Sequence, residues 1–214
     1  MKKDKLKILF EDKHLIVVYK RSGIPTIKSD NNRFNLYSDV YDYLHKKNQR
    51  VFVVHRLDSD TSGLVVFAKR KKVKENLQTN WDNVLREYYA VVHGKTNDKG
   101  VIESYLKETK TLMTYSTKDK SGKYAKTSYE TIKQSKAYSL LKINIETGRK
   151  NQIRVHMKDN NTPIVGDKKY GIKDGYRSML LEASRLFFVH PITRERIDIK
   201  LDIPELYLKM FKKD

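Results

Sequence analysis

The residues whose types and spacing are best suited to catalysis form one polar segment, 55–63, which lies between two apolar runs of the chain. It reads His-Arg-Leu-Asp-Ser-Asp-Thr-Ser-Gly and carries two carboxylates, Asp58 and Asp60. A carboxylate with an ordinary pKa of about 3.9 is ionised at pH 7, so it can act as a nucleophile without a separate base. The alternative is an ordinary turn, because Asp and Ser side chains bond the backbone and Gly supplies positive φ.

A calcium loop is a second alternative for this segment. Asp58, Asp60, Ser62 and Gly63 match positions 1, 3, 5 and 6 of a calcium loop. Position 12, which should be a bidentate Glu, is Lys69. A cation at that position would repel the metal, so we reject the calcium loop.

The spacing of Asp58, Asp60 and Ser62 also resembles the nucleophile loop of magnesium-dependent phosphatases of the haloacid dehalogenase type, in which the first Asp attacks phosphorus. That family places an apolar strand directly before the first Asp, whereas His55 and Arg56 intervene here. This phosphatase is kept as a hypothesis, which the sensitivity of phosphate release to EDTA would test.

Short apolar runs bounded by turn residues predict that β-strands dominate the chain. The predicted strands are 8–10, 14–19, 51–54, 64–68, 88–92, 129–133, 138–145, 179–189 and 197–201. The first two flank a short connection and predict a hairpin. Many antiparallel strands with few covering helices indicate an α+β domain with a mixed, mainly antiparallel sheet flanked by helices.

Four helices are expected among these strands. Apolar residues recur with helical spacing in two places, at Leu36, Val40 and Leu44 and at Val73, Leu77 and Trp81. A third helix is expected from 149 to about 159. A short fourth helix follows Pro204, a residue that suits the first helical position. Segment 118–126 is rich in Lys, Ser and Gly and is expected to be a loop.

The charge of the chain points to its partner. The chain has 214 residues, with 45 Lys and Arg against 26 Asp and Glu, a formal net charge of +19. An excess of this size indicates nucleic acid or another anionic surface. The chain contains no Cys, which excludes a thiolate nucleophile and a Cys-ligated metal site. No stretch approaches the ~20 apolar residues of a membrane span, so a cytoplasmic protein without a membrane partner is expected.

The polar segment, together with Ala68 and Lys69, resembles the signature of the RluA-type pseudouridine synthases. The resemblance continues in order from about residue 8 to about residue 194. Further segments that resemble family motifs are the opening hairpin at 9–20, a Tyr-bearing strand at 86–94, the block at 122–129, an Arg-bearing motif at 147–156, and the blocks at 166–171 and 190–193. The resemblance implies a single pseudouridine-synthase-like domain over residues 1–214.

Three positions depart from the family pattern. Arg21 stands where Pro is common, and Asn151 and Glu182 stand where His is common. Neither Asn151 nor Glu182 removes a main catalytic group, but Glu182 adds negative charge. The S4 RNA-binding domain that many relatives carry in front is expected to be absent, because the match begins close to Met1. RNA binding is then expected to come from the core itself.

The resemblance implies roles for three catalytic residues. Asp58 is the nucleophile, Arg154 is the ion-pair partner that orients it, and Tyr88 stacks on the target base. An adjacent guanidinium typically lowers a carboxylate pKa by about 1 to 3, which would keep Asp58 ionised in a dry pocket. The alternative for Arg154 is a solvent-facing position, since Lys150 and Lys158 share its helical stripe.

The implied reaction breaks the N1 glycosidic bond of a uridine, turns the base and rejoins it to the ribose through C5. It needs no external cofactor and no metal. Arg56 would fill the gap left by the flipped nucleotide, which offsets part of a flipping cost of roughly a few kcal/mol. His55, grouped with Arg56 at this place, is expected to hold the loop through hydrogen bonds, and Asp60 and Thr61 are expected to shape it.

Basic residues outside the catalytic set are expected to contact RNA phosphates. They are Lys69, Arg70, Lys71, Lys123 and Arg149. For any single Lys, a solvent-exposed position without a partner is the alternative.

The expected partner is structured RNA, either ribosomal or transfer RNA, and the expected state is a monomer with no obligatory protein partner. A second hypothesis is an RNA-binding or folding protein without catalysis, and the phosphatase is the third.

Overall fold

The chain folds into two compact units. A computed structural model describes residues 6–28 and 34–212. Unit 1 contains the described residues up to 84 together with 185–200, and unit 2 contains residues 85–184 and 201–212. No helix in the described ranges is long and apolar enough to cross a membrane.

Unit 1 contains an antiparallel sheet whose strands flank the polar segment 55–63. The strands are β1 (Ile8–Glu11), β2 (Leu15–Lys20), β3 (Phe52–Val53) and β4 (Ser62–Ala68). Strand β2 pairs with both β1 and β4, and β3 pairs with β4. The predicted hairpin of the first two strands is confirmed. The pairing of Lys20 with Gly63 places the end of β2 beside the beginning of β4.

Two helices, α1 (Leu36–His45) and α2 (Lys71–Thr79), belong to the same unit. The side chain of Asn35 caps α1 by accepting a hydrogen bond from the Ser38 amide at 2.9 Å. The apolar stripe of α1 that the spacing predicts is buried in one core with β2 and β4. The prediction for the second helix is wrong at its end, because α2 stops at Thr79 and Trp81 begins a separate 3-10 turn.

Unit 2 contains a second run of antiparallel strands. They are β5 (Leu85–His93), β6 (Lys99–Glu108), β7 (Thr114–Thr117), β8 (Lys123–Gln134) and β9 (Tyr138–Ile145), in the spatial order β5-β9-β8-β6-β7. Helix α3 (Gln152–Asp159) packs on β7 and β8, and a short helix α4 (Glu205–Lys209) follows. Tyr207 and Phe211 cover Tyr89 and Val91 of β5.

Strand β10 (Leu181–Val189) is divided between the units, since unit 1 begins again at Arg185. Its second half pairs antiparallel with β11 (Arg196–Lys200). The α+β class and the mainly antiparallel sheet with few helices are confirmed. The single domain over 1–214 stays a prediction beside this division into two units.

Two strands and three element boundaries differ from the sequence-based expectation. Strands β6 and β7 were not predicted, and β8 begins at Lys123, so only the first part of the expected loop 118–126 is a loop. Helix α3 begins at Gln152 because Asn151 adopts a left-handed conformation (φ 56°), which interrupts the helix before it. Pro204 is the residue before α4, not its first helical residue.

His156 joins α3 to the sheet of unit 2 through two hydrogen bonds. The fully buried ring contacts the hydroxyl of Thr127 through Nδ1 at 2.8 Å and that of Ser104 through Nε2 at 3.0 Å. Burial lowers the pKa of His156 to about 4, although the charge of Asp159 raises it. The ring is therefore neutral in the folded protein at pH values where an unfolded chain would already protonate it.

We expect this ring to make the folded state acid-sensitive. The unfolded His takes up a proton near pH 6.5 and the folded one near pH 4, so stability is complete above 6.5 and declines as pH falls toward 4. The loss over this window is about 3 kcal/mol at most. We measure the free energy of unfolding in urea at several pH values. It should depend less steeply on pH in His156→Gln, whose side chain keeps polar atoms but does not titrate. Equal slopes in the two proteins would contradict this prediction.

Candidate active site

The loop that carries Asp58 is clamped by a buried lysine at the end of β2. Lys20 is fully buried, and its Nζ donates to the carbonyl oxygens of Ser59 at 2.9 Å, Ile24 at 2.7 Å and Arg21 at 3.1 Å. Burial lowers the pKa of Lys20 to about 8, and the carboxylates of Asp58 and Asp60 act in the opposite direction. The ammonium group therefore ties the loop backbone to β2.

Further hydrogen bonds hold the same loop from segment 22–26. The Thr26 hydroxyl donates to the Leu57 carbonyl at 2.9 Å and accepts from the Leu57 amide at 3.1 Å. Ser22 donates to the carbonyl of Asp60 at 2.7 Å. Within the loop, the Thr61 amide donates to the carbonyl of Asp58 at 3.1 Å, which closes a turn. The backbone of Asp58 is thus fixed on both sides, and its side chain is half-buried.

His55 lies at the start of this loop and contacts β4. Its Nε2 accepts a hydrogen bond from the Val66 amide at 3.1 Å, and its ring lies on Trp81 with a centroid separation of 4.5 Å. A nitrogen that accepts from an amide carries no proton, so the ring is neutral in this arrangement. Arg56, the next residue, is exposed.

Lys69 lies inside unit 1, where an RNA phosphate would not reach its charge. Its side chain is 3% exposed, and its Nζ contacts Glu11 Oε1 at 2.7 Å and the Asp12 carbonyl at 2.6 Å. Burial alone would raise the pKa of Glu11, but hydrogen bonds from Lys69 and from Tyr43 and Lys47 lower it to about 2. The ammonium of Lys69 is thus committed to this internal ion pair. The expected RNA contact at Lys69 does not fit this position.

The other cations expected to contact RNA are at the surface. Arg70 and Lys71 are exposed at the beginning of α2, where Lys71 makes a loose pair with Glu75 at 3.9 Å. Lys123 is exposed at the beginning of β8. Arg149 is exposed as well, and its Nε donates to the Tyr124 carbonyl at 2.9 Å.

Tyr88 lies on the face of the unit 2 sheet that α3 covers. It pairs with Ile143 of β9, which pairs in turn with Tyr129 of β8. Thr127 lies on the same face of β8 and bonds Gln152 of α3 at 3.0 Å. Tyr88 is 9% exposed, so little of its ring meets solvent in this structure.

Arg154 extends from α3 into a buried ion pair. Its Nε donates to Asp167 Oδ2 at 2.8 Å and its Nη2 to Asp167 Oδ1 at 2.6 Å, a bidentate arrangement. Nη1 donates to Asn151 Oδ1 at 3.1 Å. Arg154 is 5% exposed and Asp167 1%. The alternative of a solvent-facing Arg154 is therefore wrong, because the helix turns this position inward while Lys150 and Lys158 remain exposed.

Asp167 collects donors from three directions. Burial would raise the pKa of its carboxyl, but the hydrogen bonds and charge of Arg154, together with the amides of Tyr170 and Lys169, outweigh burial and lower it. The Tyr170 hydroxyl in turn accepts from the Thr114 amide at 2.9 Å and from Asn151 Nδ2 at 3.2 Å. The guanidinium thus lies in a polar cluster with a defined orientation.

Sequence reasoning did not assign three of these supporting residues. Lys20 could have been suspected, since a lysine that ends an apolar strand is unusual, and Asp167 belongs to the quoted 166–171 block. Asn151 was noted only as a departure from the family pattern, although its amide bridges Arg154 and Tyr170. Glu182 is buried in β10. Within the described residues, no three His, Asp or Glu side chains converge in a group that could hold a metal ion.

Comparison with known proteins gives a consistent result. The family model for RNA pseudouridylate synthase matches residues 14–159. The ribosomal large subunit pseudouridine synthase D of Blochmanniella floridana is 32% identical, over 96% of this chain and 71% of the relative. The ribosomal large subunit pseudouridine synthase C of Buchnera aphidicola is 35% identical, over 92% and 68%.

A third relative is similar over nearly its whole length. The tRNA pseudouridine synthase C of Pasteurella multocida is 31% identical, over 96% of this chain and 94% of that protein. Among solved structures, human RNA pseudouridylate synthase domain containing 4 has the same fold, with a TM-score of 0.78 at 22% identity over 94% of this chain and 90% of that one. On this evidence the chain belongs to the RNA pseudouridine synthase family, whose members are isomerases.

Proposed function

We propose that this protein converts a uridine of ribosomal or transfer RNA to pseudouridine, with Asp58 as the nucleophile. The observation that carries the proposal is the fixed Asp58 loop, in which Lys20 and Thr26 hold the backbone on either side of a half-buried carboxylate. Fixing the nucleophile in this way reduces the entropy that must be lost when the substrate reacts. Family membership replaces the phosphatase hypothesis.

Arg154 is proposed to orient the Asp58 carboxylate through an ion pair. The hydrogen bonds to Asp167 and Asn151 engage Nε, Nη2 and Nη1, so the plane of the guanidinium is fixed. Asp167 then sets the orientation of the Arg154 guanidinium.

Tyr88 and Arg56 are proposed to handle the target nucleotide. An aromatic ring stacks on a flipped base regardless of base identity, which suits a group that holds the base while it turns. Arg56 is exposed at the tip of the catalytic loop, as a cation that enters the vacated stack requires. His55 is proposed to support this loop through Val66 and Trp81.

Arg70, Lys71, Lys123 and Arg149 are proposed to contact RNA phosphates, because all four are exposed cations. The reaction requires no redox cofactor, since uridine and pseudouridine have the same composition and oxidation state. We propose that the enzyme acts as a monomer in the cytoplasm. Sedimentation at several protein concentrations would test the monomer.

The reaction itself is tested by tritium release. When C5 bonds to the ribose it loses its hydrogen, so 5-tritiated uridine RNA should release tritium to water upon incubation with the protein. Carbodiimide-stopped primer extension is then applied to total RNA from cells with and without the gene. RNA from cells without the gene should lack at least one stop, and the position of that stop identifies the substrate. Tight RNA binding without tritium release from any RNA fraction would instead support the non-catalytic binding protein.

A further inference from the structure

Segment 168–177, which follows Asp167, has exposed cations and a carboxylate that is turned inward. It contains four cations, Lys168, Lys169, Lys173 and Arg177, and all four are exposed. The segment has no helix or strand, and the first strand after it is β10. We call it the 168–177 loop.

The carboxylates of this region are turned inward. Asp167, directly before the loop, is bonded by Arg154 and by the amides of Lys169 and Tyr170 at 2.9 and 3.0 Å. Asp174 has a side chain that is 8% exposed, and its Oδ2 contacts His93 Nε2 at 2.9 Å. These acids therefore do not neutralise the outer surface of the loop.

The same two carboxylates make the loop rigid. Asp174 Oδ2 also accepts from the Gly166 amide at 2.7 Å, and Oδ1 accepts from the Tyr176 amide at 3.0 Å. Gly166 has φ 75°, and a Cβ there would lie 2.2 Å from the Ser178 carbonyl oxygen, so the two ends of the loop are closely packed. A pre-formed backbone lowers the entropy lost when the side chains bind a partner.

The cations on this backbone are available to a partner. Across residues 6–28 and 34–212, Lys168, Lys173 and Arg177 take part in no ion pair with a carboxylate. Lys169 differs, because its Nζ donates to the Leu112 carbonyl at 2.9 Å. Lys168 adjoins Asp167, which holds the proposed catalytic guanidinium of Arg154.

We propose that the 168–177 loop, which follows the Arg154 partner Asp167, binds the phosphate backbone of the substrate RNA through Lys168, Lys173 and Arg177. The inference rests on the proposed function for the identity of the anion. RNA fits better than an acidic protein surface, because phosphates repeat along a strand at each nucleotide and can meet cations spread over ten residues of loop.

The test compares two triple variants of equal charge. Lys168→Gln/Lys173→Gln/Arg177→Gln removes the loop cations. The matched control, Lys95→Gln/Lys133→Gln/Lys136→Gln, removes three exposed lysines, of which Lys95 and Lys136 lie between strands and Lys133 lies near the end of β8. The affinity of each protein for a fluorescently labelled RNA hairpin with a uridine-containing loop is measured at several salt concentrations.

We expect the loop variant to lower the slope of log affinity against log salt by about 2 to 3, at about 0.7 to 0.9 for each phosphate that the protein no longer neutralises. The control should change it by less than about 1. The charge-retaining variant Lys168→Arg/Lys173→Arg should keep the wild-type slope. Where tritium release is measured, KM should rise while kcat stays within about threefold.

Equal slopes in wild type and the loop variant would overturn the proposal, and so would equal changes in the loop variant and the control. A loss of binding to polyglutamate without a change in RNA binding would favour a protein partner and overturn it as well. Failure of the proposed function gives a different result. Wild type would then release no tritium, while the slopes would still show whether the loop binds RNA.

Discussion

Replacing Asp58 with Asn is expected to lower tritium release by about 10⁴-fold or more. The amide has nearly the shape of the carboxylate, so the loop clamped by Lys20 and Thr26 should keep its conformation. Its oxygen is not a nucleophile, however, and no other group takes its place. RNA affinity should change by less than about threefold, because phosphate contacts dominate affinity and none of them involves a carboxylate.

The matched control is Asp60→Asn, which makes the same charge change two residues along the same loop. Asp60 is exposed, and its backbone carbonyl, which accepts from Ser22, survives the substitution. We expect this variant to retain activity within about tenfold. Initial rates of tritium release and equilibrium RNA binding are measured for both. Comparable losses in the two variants would assign Asp58 to shaping the loop, and near-normal release by Asp58→Asn would end its role as nucleophile.

Arg154→Lys is expected to damage both turnover and stability while RNA affinity is nearly unchanged. A lysine has one nitrogen, so it cannot bond both oxygens of Asp167 and also Asn151. It leaves the buried Asp167 carboxylate partly unpaired, which costs about 3 kcal/mol of folding free energy. A misplaced partner for Asp58 should lower kcat by about 100-fold. Since Arg154 is 5% exposed, phosphate binding should not depend on it.

Urea unfolding, kcat and the RNA dissociation constant are measured for Arg154→Lys, Asp167→Asn and the double variant. If Arg154 and Asp167 act together, the double variant should lose less stability and less turnover than the sum of the losses in the two single variants. Lys158→Gln, a substitution on an exposed face of the same helix, serves as the control and should be near wild type. A fall in affinity equal to the fall in kcat would show that Arg154 serves RNA binding instead.

The position of the Asp58 loop could be predicted because its residue types are unusual over a short window and because the strands around it are strongly apolar. Strand β9 was predicted with its observed bounds, 138–145, and β2 to within one residue. In the second half of β9, buried Leu141, Ile143 and Ile145 alternate with less buried polar residues, whereas β2 is a nearly continuous apolar run, and the sequence shows both patterns directly. Helix α1 was predicted for the same reason, with a stripe at helical spacing.

Other features could not be predicted because their causes are spread along the chain. Strand β6 carries its apolar residues in adjacent pairs, Val101 with Ile102 and Tyr105 with Leu106, so no alternation marks it. The bond from Lys20 to Ser59 spans 39 positions. The pairing of Lys69 with Glu11 spans 58, which is why a lysine within a basic run could be taken for a surface cation.

The division of β10 between the units affects when each unit can fold during synthesis on the ribosome. Unit 1 is interrupted by the whole of unit 2 and regains residues 185–200 only afterwards, and unit 2 regains residues from 201 onward. Because synthesis proceeds from the N-terminus, β11 is translated long after β1 to β4, and α4, whose Tyr207 covers Tyr89 and Val91, is later still. Both units are therefore finished almost at once, only after residue 200 has been translated, and a nascent chain stopped at residue 184 has completed neither.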